Sequence, residues 1–221
     1  MRAVLLDALG TLLRLQPPAP ALRRELAARG IEVGAADAER AIAAEIAYYR
    51  EHNLEGGDRA ALARLRRRCA EVLRDALGAG GVDAVHDALL GALRFAAYPD
   101  AAPALERLRG AGLRLVVVSN WDVSLHDRLA ETGLAARVDG AVASAELGVA
   151  KPDPAIFRHA LTMAGVEPHE AVHVGDSPQA DVAGARAAGI APVLISREAD
   201  PSPGEPVQTI RSLAELPALV R

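Results

Sequence analysis

Three short apolar runs each end on a polar residue next to a tight turn. That recurrence constrains the fold more than any other feature of the chain. Residues 3–6 are Ala-Val-Leu-Leu and stop at Asp7, with Gly10 and Thr11 just beyond. Residues 113–118 form a second apolar run that stops at Ser119-Asn120, and residues 171–174 a third that stops at Gly175-Asp176. Predominantly apolar runs of this length, broken only by Arg114 and His173 and separated by helical segments, fit the strands of a parallel sheet covered on both faces. Weaker strands are predicted at 140–144 and 192–195. Ligands of such sheets bind beyond the carboxyl ends of the strands, so the polar groups at the three run ends are expected to converge.

The first and second runs are separated by a block of different character. After the breaker segment Pro17, Pro18 and Pro20, apolar residues recur at helical spacing in four stretches: 21–29, 36–52, 60–77 and 82–95. No strand is expected inside this block. Strand–helix alternation resumes after Tyr98-Pro99-Asp100, with helices predicted at 104–109, 125–132, 154–164 and 182–188. A proline- and glycine-rich loop at 200–206 and a closing helix at 212–216 complete the pattern. The expected organisation is an α/β core of residues 1–14 and 98–221 with a Rossmann-like parallel sheet, interrupted by an all-helical insertion of residues 15–97. The insertion leaves directly after the first strand, where it can roof the cleft.

Composition narrows the function classes. The 221 residues are 51% hydrophobic and 24% charged, with net charge -4, which suits a folded domain rather than a disordered chain or a dedicated nucleic-acid binder. One cysteine, Cys69, excludes an internal disulfide and a cysteine metal cluster. No signal peptide or membrane span is visible, and a cytoplasmic protein is the expectation. Of the 25 basic side chains only Lys151 is a lysine. Arginine replaces lysine at little cost on a surface, but not where a compact ammonium is needed, which marks Lys151 before any motif is read.

Asp7 and Asp176 are carboxylates at two strand ends. Brought together they repel, and a hard cation such as Mg2+ relieves the repulsion while keeping positions for substrate phosphate. Asp181 follows Asp176 by five residues and is placed to hold a metal-bound water or to orient Lys151. Ser119 and Lys151 can stabilise charge on a transferring phosphoryl group, with Asp7 as the nucleophile.

These residues resemble the haloacid dehalogenase-like hydrolase superfamily over nearly the whole chain. The resemblance rests on Asp7-Ala8-Leu9-Gly10-Thr11-Leu12, on Ser119-Asn120, on Lys151-Pro152-Asp153-Pro154, and on Gly175-Asp176-Ser177 with Asp181. It implies a helical cap hinged at 12–20 and 95–99, Asp7, Ser119, Lys151 and Asp181 as catalytic residues, and Mg2+ held by Asp7, the Leu9 carbonyl and Asp176. It also implies a small phosphorylated substrate near Gly10, Thr11, Asn120, Trp121, Tyr48 and His52. Phosphatases of the family carry a second aspartate where this chain has Leu9. That aspartate protonates the leaving group and activates water, help worth roughly 10²–10⁴-fold. Two branches lack it. Metal-independent 2-haloacid dehalogenases need no proton for a halide, but they differ from Gly175-Asp176-Ser177 and carry a cap arginine expected near Ala38, where only Arg40 lies close. The chain is most similar to the second, little-characterised branch, through Ser119-Asn120-Trp121-Asp122 and Glu45, Tyr48, Tyr49 and His52.

Individual candidates divide between chemistry and packing. Trp121 is expected either to wall the substrate pocket or to pack the base of the cap. Asp122 is expected to cap the following helix. Tyr48 and His52 share a helix face, either pointing at the leaving group, where His52 would supply a proton, or packing within the cap. The other five histidines, His173 among them, show no metal-ligand spacing. Cys69 reads as a buried inert thiol, and Arg64, Arg66, Arg67 and Arg68 as a solvated helix face. Three functions remain open: a Mg2+-dependent phosphohydrolase, a metal-independent dehalogenase, and a phosphate-binding protein without turnover. Neither a nucleic-acid nor a membrane partner is expected, and the oligomeric state is not legible.

Overall fold

The computed structural model of the protein describes residues 1–197 and 207–220. In chain order the elements are β1 (Ala3–Leu6), β2 (Leu13–Leu15), α1 (Pro18–Ala27), α2 (Ala35–His52), α3 (Arg59–Leu77), α4 (Val82–Ala92), β3 (Phe95–Ala97), α5 (Ala101–Gly110) and β4 (Arg114–Ser119). There follow α6 (Leu125–Glu131), β5 (Gly140–Ala143), α7 (Ser144–Leu147), α8 (Pro154–Ala164), β6 (Ala171–Gly175), α9 (Gly184–Ala187), β7 (Ala191–Ile195), β8 (Gln208–Ile210) and α10 (Leu216–Leu219).

Six strands form one parallel sheet in the order β5-β4-β1-β6-β7-β8. The chain runs outward from β1 through β4 to β5, then returns to the other side of β1 and runs out through β6, β7 and β8. The reversal leaves a crevice beyond the carboxyl ends of β4, β1 and β6. Residue alternation along β1 sends Val4 and Leu6 into the core on one face and Ala3 and Leu5 into the core on the other. The first face is covered by Leu105 and Leu108 of α5 and Leu125 and Leu129 of α6; the second by Ile156, Phe157 and Leu161 of α8. Burial on both faces is why the central strands carry no polar alternation.

Helices α1–α4 form the inserted cap, with a separate core of Leu22, Leu26, Ile42, Leu65, Leu73, Val85 and Leu89. Local chemistry sets the ends of α3: the Asp58 carboxylate accepts from the Ala61 N–H at 2.7 Å, and Gly78 stops the helix at φ 64°. The cap joins the core through β2 and β3, which pair antiparallel in the register Leu13–Ala97 to Leu15–Phe95.

The expected α/β core with an inserted helical cap is what the structure has. Three strands depart from the sequence expectation. β2 and β3 lie where hinges were expected, and the helix expected to reach residue 95 ends at Ala92. β8 was not anticipated. The closing helix also differs: Ser212 caps a 3₁₀ turn at Leu213–Glu215, and Pro217 sits in the first turn of α10 rather than beyond it. There its missing N–H costs nothing. The loop expected at 200–206 lies outside the described residues.

Candidate active site

The carboxyl ends of β1, β4 and β6 bring Asp7, Ser119, Asp176 and Asp181 together, and the segment before α8 adds Lys151. The Lys151 ammonium donates to Asp7 Oδ1 and Asp181 Oδ1, both at 2.6 Å. The Ser119 hydroxyl donates to Asp7 Oδ1 at 3.2 Å, and the Thr11 hydroxyl lies 3.4 Å from Asp7 Oδ2. Asp7, Thr11, Ser119, Lys151 and Asp181 are all buried. Asp176 is exposed, yet one carboxylate oxygen from each of Asp7, Asp176 and Asp181 lies within 4.8 Å of the others.

Lys151 is held at both ends. Its backbone N–H donates to Asn120 Oδ1 at 2.7 Å, and its carbonyl accepts from Asn120 Nδ2 at 2.9 Å. Asn120, expected to touch substrate, is thus occupied in clamping the segment that carries the ammonium. The next helix, α8, is fixed by the Asp153 carboxylate, which accepts from the Ala155 N–H at 2.8 Å.

Burial pushes the Asp7 carboxyl up to about 6; the Lys151 ammonium opposes this and the Asp181 charge adds to it. Asp181 goes the other way. Burial works against its charge, but Lys151 and the His173 hydrogen bond prevail and hold it well below the usual carboxylate range. Lys151 is raised, because attraction to Asp7 and Asp181 outweighs the burial that opposes its charge. Asp176 reaches solvent, but the protein around it excludes enough water to raise its carboxyl, and Asp181 adds repulsion.

Three carboxylates therefore share one ammonium, leaving two negative charges uncompensated when all are ionised. A divalent cation matches that deficit, and oxygen donors match a hard ion such as Mg2+. Backbone shape makes room for the Asp176 carboxylate. Gly10 has φ 86°, and a Cβ there would stand 2.0 Å from Asp176 Oδ2. Gly10→Ala is expected to strain the turn and displace Asp176, weakening Mg2+ binding at least about tenfold. Isothermal titration against wild type at the same pH measures this.

Two residues of the site were not foreseen. His173 is buried in β6, and its Nε2 lies 2.8 Å from Asp181 Oδ1. A polar residue inside the apolar run before Gly175 was the available signal. Arg197 binds the first-motif loop through the carbonyls of Gly10 at 3.1 Å and Thr11 at 2.7 Å, pairs with Asp100 at 3.0 Å, and stacks on Tyr98. In a chain so rich in arginine it carried no signal.

Between cap and core opens a cavity of about 480 Å³. Leu9, Tyr49, Phe95, Asn120 and Trp121 are among its walls. Trp121 lines this cavity and packs on Phe95 of the cap stem at 5.0 Å between ring centres. Tyr48 and His52 do share a helix face, but they stack on each other at 4.0 Å and are not among the lining residues. The neighbouring residue Tyr49 reaches the site, donating its hydroxyl to Asp122 at 2.7 Å. Asp122 also accepts from the Ser124 N–H at 2.7 Å, just before α6. A further cavity, about 520 Å³ and lined by Arg2 and Glu170, lies at the amino edge of the sheet, away from the carboxylates.

The cap rests on the core through the Arg59–Asp127 pair, at 2.6 and 2.7 Å, and through Gly57, where a Cβ would come within 2.5 Å of the Ala145 carbonyl. Glu45 and Cys69 are buried as neighbours in the cap, and burial pushes both upward, the thiol far above its ordinary value and away from the reactive thiolate. Of the basic run on α3, Arg67 pairs with Asp83 and Arg68 with Glu55.

Comparison with known proteins agrees with this arrangement. A family model described as haloacid dehalogenase-like hydrolase matches residues 1–189. A phosphoserine phosphatase of Thermus thermophilus is 40% identical over 119 residues, which is 53% of this chain and 48% of that protein. The chain thus matches about half the length of that relative. A crystal structure of a HAD phosphatase from Thermococcus onnurineus superposes with TM-score 0.69 at 27% identity, covering 100% of this chain and 98% of that one. A 2-haloacid dehalogenase from Pseudomonas syringae pv. Tomato DC3000 superposes with TM-score 0.70 at 28% identity, with the same coverage.

Proposed function

The chain belongs to the haloacid dehalogenase-like hydrolases, and we propose that within them it is a Mg2+-dependent phosphomonoesterase working through an aspartyl phosphate on Asp7. The observation that carries this reading is the uncompensated charge of Asp7, Asp176 and Asp181 around the single ammonium of Lys151. A dehalogenase has no use for that excess charge. The names of the Thermus and Thermococcus proteins accord with phosphoryl transfer.

In this reading Asp7, the Leu9 carbonyl and Asp176 hold the cation. Once bound, Mg2+ supplies charge neutralisation for the nucleophile and the incoming phosphate. Lys151 and Ser119 fix the Asp7 carboxylate and face the charge that develops on the phosphoryl oxygens. Asp7 attacks phosphorus; an O–P bond forms, and the ester P–O bond breaks with its electron pair leaving on oxygen. Water then attacks the phosphorus of the aspartyl phosphate, releasing inorganic phosphate and restoring Asp7. Asp181 and His173 hold Lys151 in place throughout. The cap closes over the reaction and excludes bulk water.

A panel of p-nitrophenyl phosphate and 2-chloropropionate, each with Mg2+ and with chelator, tests the reading. Phosphate release that needs Mg2+, without chloride release, is expected. Chloride release indifferent to chelator would replace this reading with the dehalogenase one. Leu9 favours that second reading, but Asp176 does not. Ala38, where a cap arginine was sought, is buried in the cap core, and Arg40 is exposed and paired with Asp37. Among the described residues no helix is long and apolar enough to cross a membrane.

Two further results are expected. A proton competes with Mg2+ for Asp7, whose carboxyl sits near 6 without metal, above its ordinary 3.8. Mg2+ affinity is therefore expected to rise up to about tenfold per pH unit below that value and to level off above it. Titrations between pH 5 and pH 8 give the slope. Leu9→Asp should raise turnover of alkyl esters by about 10-fold and of p-nitrophenyl phosphate by less, because nitrophenolate leaves without a proton. Leu9 is 39% exposed, so the change disturbs no core. Parallel kcat measurements on both esters check it.

A further inference from the structure

Leu9 joins two parts of the site. It stands two residues after the nucleophile, and its side chain lines the cavity beneath the cap. It brings no proton to the oxygen that leaves. The rest of the wall is also largely apolar, with Leu15, Ile46, Leu90, Leu93, Phe95 and Trp121.

Several polar groups of the wall are already engaged with partners in the protein. The Tyr49 hydroxyl binds Asp122, and Asp122 also accepts from the Ser124 N–H. Both ends of the Asn120 amide bind the Lys151 backbone. Arg128 pairs with Glu131 at 2.8 Å. A ligand entering here meets mainly apolar surface, on which a sugar would leave most of its hydroxyls unpaired. Arg50 and Arg66 line the same cavity and have no ion pair among the described residues, which favours an anion over a neutral or cationic ligand. At about 480 Å³ the space exceeds what a two- or three-carbon ester fills and suits a ring-sized group.

We propose that the ester hydrolysed here has an apolar, ring-sized body attached through an oxygen that departs without protonation, as in a phenolic or enolic phosphate. The proposal rests on the phosphatase reading. The missing proton donor and the apolar wall are separate observations that select the same substrate: the first limits the basicity of the leaving oxygen, the second the polarity of what it carries. Glu45 stands against it, as do the charged heads of Arg50 and Arg66 on the same wall. Glu45 lines the cavity, is buried, and has the Cys69 thiol as its polar neighbour.

The test compares ethyl, phenyl, 1-naphthyl and acetyl phosphate with Mg2+. Phenyl phosphate is expected to exceed ethyl phosphate in kcat by at least about 10²-fold. The KM for 1-naphthyl phosphate should fall at least about tenfold below that for acetyl phosphate, and Leu93→Gln, checked for folding by thermal melt, should narrow that gap. Ethyl phosphate turned over within about threefold of phenyl phosphate would overturn the leaving-group half. If that alkyl activity vanished in Glu45→Gln, Glu45 would be the missing acid. Equal KM values would overturn the apolar half. Absence of phosphate release from acetyl phosphate would count against the phosphatase reading itself. Calorimetric binding of benzylphosphonate and methylphosphonate to Asp7→Asn measures the apolar preference without turnover, and equal affinities would overturn it.

Discussion

Asp7→Asn is expected to abolish phosphate release, lowering kcat by at least about 10³-fold, while making the metal-free protein harder to unfold at pH 8. The two effects have one cause. The Asp7 carboxyl titrates near 6 in the folded protein, above its ordinary 3.8, because burial penalises its charge. The folded state thus holds a proton there more tightly than the unfolded chain does. The stability this provides is complete below the ordinary value and is lost as pH rises through about 6. Asparagine carries no charge to penalise, so its advantage should be absent at pH 4 and present at pH 8. Chelator-treated melts at both pH values, beside phosphate release with Mg2+, measure stability and function in one pair of proteins. A nucleophile poised by the strain of its own ionisation would show this opposition.

Lys151→Met should be the most destabilising single change in the site, by about 3–5 kcal/mol without metal. The ammonium is buried between Asp7 and Asp181 at 2.6 Å from each, and its removal leaves two carboxylates facing each other. Asp181 is held below its ordinary value by that ammonium and by His173, so its contribution to stability is present above the ordinary carboxylate range and lost as pH falls. In the methionine variant that acid-side loss should largely disappear. Lys151→Arg keeps the charge but not the shape: a planar fork cannot fill a pocket built for one point donor. It should cost about 10²-fold or more in kcat/KM. Denaturant titration of both variants at neutral and acid pH, with kinetics of the arginine variant, tests this. Arginine activity within about twofold of wild type would show that the lone lysine is an accident of composition.

The central strands were legible because buried parallel strands leave a plain trace: residues 3–6, 115–118 and, but for His173, 171–174 are apolar without alternation and stop at polar turns. Asp7 and Asp176 were legible for the same reason, since they stand where those runs stop, whereas Lys151 was legible as the only lysine of the chain. β2 and β3 were not, because three residues such as Leu13–Leu15 become a strand only by pairing with Phe95–Ala97, and nothing local foretells a partner so distant in sequence. Of the two roles open to Tyr48 and His52, packing within the cap is the one the structure shows. The four-residue spacing correctly put Tyr48 and His52 side by side, but spacing does not say which face of α2 meets the core, and Tyr49 does. Arg197 escaped notice because its role comes entirely from folding: it crosses from the end of β7 to the carbonyls of Gly10 and Thr11.

Covalent trapping reaches the central claim most directly. The protein is mixed with excess acetyl phosphate and Mg2+, quenched, reduced with borohydride, digested and read by mass spectrometry. Reduction of an aspartyl phosphate yields homoserine, so conversion is expected at position 7 alone, dependent on Mg2+ and absent from Asp7→Asn. Phosphate release at full rate with position 7 unmodified in every quench, or with the modification on another residue, would contradict the assignment of Asp7 as the nucleophile.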